Sequence, residues 1–233
     1  FIATSPLHRA AKLNMTREQV LDAAVRSVRL ARSLCADVEF SCEDATRTET
    51  DFLLEVCKAA VEAGATTINI PDTVGYATVD EYGGLIDAIC REVAGERDIV
   101  ISTHCHNDLG LATATTLEAI RRGARQVECT INGLGERAGN ASLDEIVMGL
   151  RTRRDIYGLK DNLNIRELYR LSRLAAGLSG MEIPPNKAVV GANAFVHQSG
   201  IHQHGVLRER ATYEIMKPEE LGIPPVSYTH LTL

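Results

Sequence analysis

The stretch Thr103-His104-Cys105-His106-Asn107-Asp108-Leu109-Gly110 ends an apolar run with two histidines one residue apart. On an extended strand, residues i and i+2 point to the same side, so both imidazoles face one place. Two imidazoles completed by oxygen donors suit a divalent ion such as Mn²⁺, Mg²⁺ or Zn²⁺. No cysteine or third histidine stands by to complete a four-ligand structural zinc set, so the pattern favours a catalytic site with open positions. On spacing alone, a hydrogen-bonded core role for one of the two histidines weighs as much.

Other polar residues close the remaining strand-like runs: Thr4 and Ser5, then Ser41, Glu43 and Asp44, then Asp72 and Thr73, then Asn132 and the loop Gly133 to Asn140. In a parallel barrel such strand ends gather at one mouth and form the site. Ser41 and Glu43 share a side, and a partly desolvated Glu43 facing a metal orients substrate or moves protons. The competing reading makes Glu43, Asp44 and Arg47 a salt-bridged loop. Gly133-Leu134-Gly135-Glu136-Arg137-Ala138-Gly139-Asn140 invites a dinucleotide reading, but its spacing is GxGxxxG and no later strand supplies a ribose-binding acid. The better reading has the glycines turn the backbone tightly over the mouth, aiming Glu136, Arg137 and Asn140 inward. Asn140 then offers its amide oxygen as a third donor beside the histidines. A further cluster, His197, His202 and His204, lies outside the strands. It reads either as a solvated histidine loop or as a pH-responsive proton carrier swung over a mouth.

These residues need a frame. Runs 1–5, 37–41, 66–70, 98–103 and 125–131 read as strands and alternate with amphipathic helical stretches, the pattern of a parallel sheet with crossover helices. Thr16 with Gln19, Thr78 with Glu81, Ser142 with Glu145 and Asn164 with Glu167 have capping-box spacing at helix starts. Gly64, Gly95, Gly123 and Gly158 supply the stops. Residues 59–73 and 119–133 repeat helix, Gly-Ala turn and strand in register, which favours a (β/α)₈ TIM barrel. Five strands are present where eight are required, and Phe1 opens inside a strand, so the chain is expected to hold strands 4–8 of the barrel over 1–180. Pro184-Pro185 breaks the chain. Residues 181–222 are expected to form a linker and the start of a subdomain over the active site, with 223–233 an unmatched tail.

Composition narrows the class. The 233 residues are 45% hydrophobic with a formal net charge of −6, which argues against a nucleic-acid partner. The one basic run, 151–155, reads as the solvated end of a helix. No apolar stretch approaches the roughly 20 residues of a membrane span, and no signal pattern opens the chain, so a cytoplasmic address and no membrane partner are expected. The six cysteines show no CxxC spacing and read as reduced, mostly buried thiols.

Taken together, FIATSP, VEFSCEDATRT, INIPDTVGY, THCHNDLGLA, NGLGERAGN, VVGANAFVHQSGIHQHGVL and YEIMKPEELG strongly resemble the 2-isopropylmalate synthase family. It belongs to the metal-dependent barrel superfamily that also holds homocitrate and citramalate synthases and hydroxymethylglutaryl-CoA lyase. The resemblance implies a Claisen-type condensation of acetyl-CoA with 3-methyl-2-oxobutanoate, then thioester hydrolysis to 2-isopropylmalate and CoA, the first committed step of leucine biosynthesis. It implies a divalent metal, Mn²⁺ foremost, on His104, His106 and Asn140. By the same likeness Ser41 and Thr73 line the oxo-acid pocket beside Glu43, and His202 and Tyr213 serve a neighbouring subunit's site in a homodimer. Three departures accompany the match. The first-strand Arg-Asp pair, whose aspartate is a further metal ligand, is not in the chain. His204 stands where many members have an acid. The match ends at Gly222, short of the domain that carries leucine feedback. Competing readings are a homocitrate or citramalate synthase, a metal hydrolase with an HxH strand, and an inactive half-barrel.

Overall fold

Phe40 with Cys42 and Ile68 with Ile70 are buried and stand two apart, the period of a strand with one face in a core. In the computed structural model, which describes residues 1–95 and 98–224, these runs form a five-stranded parallel sheet of order β1-β2-β3-β4-β5. The strands are β1 (Ile2–Ala3), β2 (Glu39–Glu43), β3 (Thr67–Asp72), β4 (Val100–Cys105) and β5 (Gln126–Glu128). Between them run α1 (Arg17–Leu34), α2 (Thr50–Ala63), α3 (Val79–Ile89) and α4 (Ala112–Arg122). Sequential strands pair with their sequence neighbours and each crossover carries a helix, the arrangement of consecutive units of a (β/α)₈ barrel.

One face of the sheet meets the helices. Phe40, Ile68, Ile70, Ile101 and Cys105 are buried there with Phe52, Leu53 and Val56 of α2 and Ile86 and Ile89 of α3. The other face is polar and layered by register: Ser41, Asn69, Ser102 and Gln126 lie at one level, and Pro71, His104 and Glu128 at the next. Continuing the β2–β3 register by two residues brings Glu43 opposite Pro71, and Glu43 also pairs with Ala3.

The glycine stops act as expected: Gly64, Gly95, Gly123 and Gly158 each follow the end of a helix at positive φ. The internal repeat is a repeat of geometry. After Gly64 and Gly123, the amides of Ala65 and Ala124 each donate to a carbonyl five residues back, at 3.0 Å in both turns. The capping boxes at Thr16–Gln19 and Thr78–Glu81 form, and α5 (Leu143–Thr152) starts directly after Ser142. Asn164 differs: it caps a single 3₁₀ turn, Ile165–Glu167, through the Arg166 amide, while Glu167 pairs with Arg170.

Two strands are shorter than the sequence suggests. The first ends at Ala3 because Ser5 accepts from the His8 amide and starts a helical turn, and the buried Thr4 hydroxyl bonds Thr48. The last ends at Glu128 because Thr130 turns to bridge Ser142 before a 3₁₀ turn at Ile131–Gly133. Among the cysteines, Cys42, Cys57 and Cys105 are buried, Cys90 and Cys129 are half-buried and Cys35 is exposed, so fewer are shielded than expected. Burial pushes the Cys105 thiol up to about 11.

The chain divides into two compact units, Phe1–Ser142 and Leu143–Leu233. The sequence pattern groups 143–180 with the barrel. Packing groups it with the segment past residue 184, because Met148 of α5 and Leu168 bury with Val189, Val190, Phe195 and Leu221 in one apolar cluster. Lys187 bonds Glu145 at 2.6 Å in the same unit. Here α6 (Leu168–Ser179) and α7 (Gly200–Arg208) are the longer later helices. The expected tail falls, from residue 225, outside the described residues. No helix among the described residues is long and apolar enough to cross a membrane.

Tyr82 of α3 joins the helix layer to the strands that carry the site. Its buried hydroxyl donates to the Ile70 carbonyl of β3 and lies 2.8 Å from the Thr103 hydroxyl of β4. Tyr82→Phe takes a bond from the buried Ile70 carbonyl and leaves the Thr103 hydroxyl only its 3.5 Å contact with Cys105 Sγ, and a buried group left short of a partner costs about 1–3 kcal/mol. Urea denaturation is expected to show a loss in that range with an unchanged slope; no loss would mean that water takes over the bond.

Candidate metal and substrate site

His104 and His106 project from the end of β4 on the polar face, as period two requires. Their Nε2 atoms lie 2.9 Å apart. His104 Nδ1 lies 2.7 Å from Glu128 Oε2, and His106 Nδ1 lies 2.5 Å from a guanidinium nitrogen of Arg137. A guanidinium only donates, so His106 Nδ1 accepts. Nε2–H of His106 then donates to Nε2 of His104, whose Nδ1–H donates to Glu128. The proton chain therefore runs Arg137, His106, His104, Glu128. Burial and the neighbouring His104 and Arg137 lower the His106 pKa below its ordinary 6.5. The bond from His104 holds Glu128 below the usual carboxylate range, and burial beside Glu128 raises Glu39.

Asn140 is brought beside His106 by an isolated antiparallel bridge. Its Nδ2 donates to the Leu134 carbonyl at 3.0 Å, while its buried Oδ1 has no hydrogen-bond partner. A buried acceptor left open is costly unless something else fills it. Two converging imidazole nitrogens and an open amide oxygen are a mixed N/O donor set that fits a divalent cation, provided that His106 moves its hydrogen from Nε2 to Nδ1 and gives up its bond from Arg137. Among the described residues no three of His, Cys, Asp and Glu stand together where they could hold a metal ion. The loop that delivers Asn140 depends on glycine. A Cβ on Gly139 would run into the Gly133 carbonyl, and one on Gly135 into the Asn140 amide. Of the loop's charged residues, Arg137 turns inward and pairs with Asp108 at 2.7 Å and the Thr73 carbonyl at 2.8 Å, whereas the Glu136 side chain is exposed.

The other expected residues fall in three groups. Ser41 and Glu43 lie on the same polar face as the histidines. Ser41 Oγ accepts from Asn69 at 3.0 Å, and the Glu43 carboxylate is held by Lys12 at 2.6 Å. Glu43 and His104 share a level with Pro71 between them, two strand spacings or about 10 Å apart. Thr73 follows β3, where its hydroxyl accepts from the Asp44 amide at 2.9 Å. Asp72 is spent on structure: its carboxylate accepts from Thr46 and from the Tyr76 and Ala77 amides. Asp44 pairs with Arg47, so that part of the salt-bridged loop exists, and His8 stands between the two acids, 3.5 Å from Glu43 and 3.8 Å from Asp44.

His202 and Tyr213 belong to the second unit. Their rings stack at 4.1 Å, and His197 stands 6.2 Å from His202 with its Nε2 3.3 Å from the buried Glu214. The histidine stretch is helical, not a loop: His202 and His204 lie on α7, where residues two apart diverge around the axis. Glu39, Asn69 and Gln126 escape a reading of strand ends because they lie below the ends, and Glu128 because β5 stops there, short of the expected run. The available signal is parity, an acid or amide at every second position of a strand whose partners face a core.

Residues 1–175 match the HMGL-like family model, and 189–231 match the model described as homocitrate synthase post-HMGL domain-like. The chain belongs to the HMGL-like family. The second match runs past Gly222, where the sequence resemblance was expected to stop. A relative from Pelotomaculum thermopropionicum, 2-isopropylmalate synthase, is 58% identical over 223 residues, 96% of this chain and 44% of the relative. A 2-isopropylmalate synthase of Aquifex aeolicus is 56% identical over 225 residues, 96% of this chain and 43% of its own. The chain thus spans less than half the length of these relatives. Among solved structures, an HMG-CoA lyase from Acinetobacter baumannii in complex with coenzyme A and 3-methylmalate aligns at TM-score 0.68 and 20% identity. The alignment covers 85% of this chain and 66% of the lyase. The Pseudomonas aeruginosa hydroxymethylglutaryl-CoA lyase aligns at 0.66 and 19%, over 78% and 62%. HMGL-like barrels therefore share this fold.

The lowered His106 pKa has a pH consequence. The unfolded chain binds this proton more tightly than the folded one, so the contribution to stability is present above pH 6.5 and is lost as pH falls through the folded value. In an NMR titration His106 is expected to protonate below 6.5, and Arg137→Ala to move its midpoint upward by removing the adjacent positive charge. A midpoint unmoved by that substitution would show that burial and His104 set the value without Arg137.

Proposed function

We propose that this chain is the catalytic-core portion of a 2-isopropylmalate synthase, condensing acetyl-CoA with 3-methyl-2-oxobutanoate to give 2-isopropylmalate and CoA. The observation that carries this is the convergence of the two Nε2 atoms and the open Asn140 oxygen on the polar face that also bears Ser41 and Glu43. The names of the curated relatives supply the product, 2-isopropylmalate, and the two substrates are those that the sequence resemblance implies. His104, His106 and Asn140 would hold the metal, Mn²⁺ foremost. When bound, it supplies Lewis-acid polarisation of the oxo acid's ketone. Ser41 and Thr73 orient the oxo acid through their hydroxyls. Glu43, paired with Lys12, orients substrate or accepts a proton at the reacting carbon. His202 with Tyr213 stacked on it assists enolisation of acetyl-CoA or thioester hydrolysis at a neighbouring subunit's site, in a cytoplasmic homodimer.

The test is a chimera in which this sequence replaces the 223 matched residues of the Pelotomaculum thermopropionicum relative. CoA release is expected to be fastest with 3-methyl-2-oxobutanoate. Preference for pyruvate or 2-oxoglutarate would instead assign a citramalate or homocitrate synthase. His106→Ala in the chimera is expected to lose bound metal and to lower the rate by about 100-fold or more, since even second-shell losses cost 10–100-fold. Unchanged metal stoichiometry would refute the ligand assignment.

A further inference from the structure

Glu128 lies one strand over from His104 at the same hydrogen-bond level, so its carboxylate meets the imidazole side-on. The contact is short, 2.7 Å from Oε2 to Nδ1, and Nδ1 is the nitrogen turned away from His106. An ionised carboxylate only accepts, so Nδ1 must carry the hydrogen. A neutral imidazole carries one hydrogen, and Nε2 of His104 is left with its lone pair facing His106. Left alone, an imidazole exchanges between tautomers, and only one presents an electron pair on the side where the donors converge.

Glu128 is itself held in place. Gln126, two residues before it on the same face, donates to Ser102 at 3.2 Å and to Glu39. Asn69 in the level below donates to Ser41, and Ser41 approaches Glu39 at 3.5 Å. The polar face of β2 to β5 is thus a cross-braced layer beneath the histidine.

We infer that Glu128 is a positioning residue that fixes the tautomer and ring orientation of His104, keeping its Nε2 lone pair directed at the cation position. This rests on the metal reading of His104, His106 and Asn140 proposed above. Carboxylate partners of this kind typically support metal affinity by 10–100-fold.

The test uses the full chain with ¹⁵N-labelled histidine. Without metal, His104 is expected as the Nδ1–H tautomer in the wild type and as a mixture shifted toward Nε2–H in Glu128→Ala. Glu128→Gln keeps an acceptor oxygen and is expected to hold the wild-type tautomer. In Mn²⁺ titrations followed by water proton relaxation, Glu128→Ala is expected to bind about 10–100-fold more weakly. An unchanged tautomer, or an unchanged Mn²⁺ affinity, in Glu128→Ala overturns the proposal. A purely structural role would lower the melting temperature and move neither readout. Should the wild-type chain take up no Mn²⁺, the metal reading fails, and the tautomer measurement still decides whether Glu128 sets His104.

Discussion

Neighbouring strands of a parallel sheet hold their side chains at fixed levels, and a slip of one residue turns every side chain to the opposite face. The site depends on this constraint. Ser41, Asn69, Ser102 and Gln126 meet at one level and Pro71, His104 and Glu128 at the next only because the apolar set of each strand is committed to the helices. Phe40, Ile68, Ile70 and Ile101 are buried on the face that meets the helices, and burial of such side chains stabilises by about 1.5–3 kcal/mol each. A register slip would expose all of them at once, so the polar face inherits its precision from the apolar one.

On that face the chemistry is coupled. Arg137 donates to His106, His106 to His104 and His104 to Glu128, one directional chain across two loops and two strands. Each member fixes the proton of the next. The loop bearing Arg137 and Asn140 closes only because Gly135 and Gly139 have no Cβ, so backbone conformation at two glycines governs a donor set several residues away. The Oδ1 of Asn140 is a buried acceptor beside the histidines whose hydrogen bonding is incomplete. That is where a ligand is most favoured.

The second unit follows a different logic. Its apolar cluster draws on residues far apart in sequence, Met148 and Leu168 on one side and Val190, Phe195 and Leu221 on the other. The His202–Tyr213 stack and the His197–Glu214 pair sit within this unit on short helices and turns rather than on strands. Their placement follows from contacts between nonperiodic segments. Period two and period 3.6 do not describe such segments, and the helical state of the histidine stretch accordingly had no clear signature.

Five strands, their order and the glycine stops were all legible in the amino-acid pattern, because alternation, capping and left-handed turns are local properties of a few residues. The shared face of His104 and His106 was legible for the same reason, and so was the tight turn before Asn140. Tertiary structure alone decided where the strands stop: Ser5 and Thr130 are captured by partners that shorten β1 and β5. It alone decided that Asp72 is consumed by three donors while Glu43 stays on the polar face, since both acids end strands and differ only in what surrounds them. It alone made Glu128 the partner of His104, residues 24 apart in sequence. A sequence lists side chains along one strand, whereas register between strands is set by the burial of every apolar side chain in the sheet together.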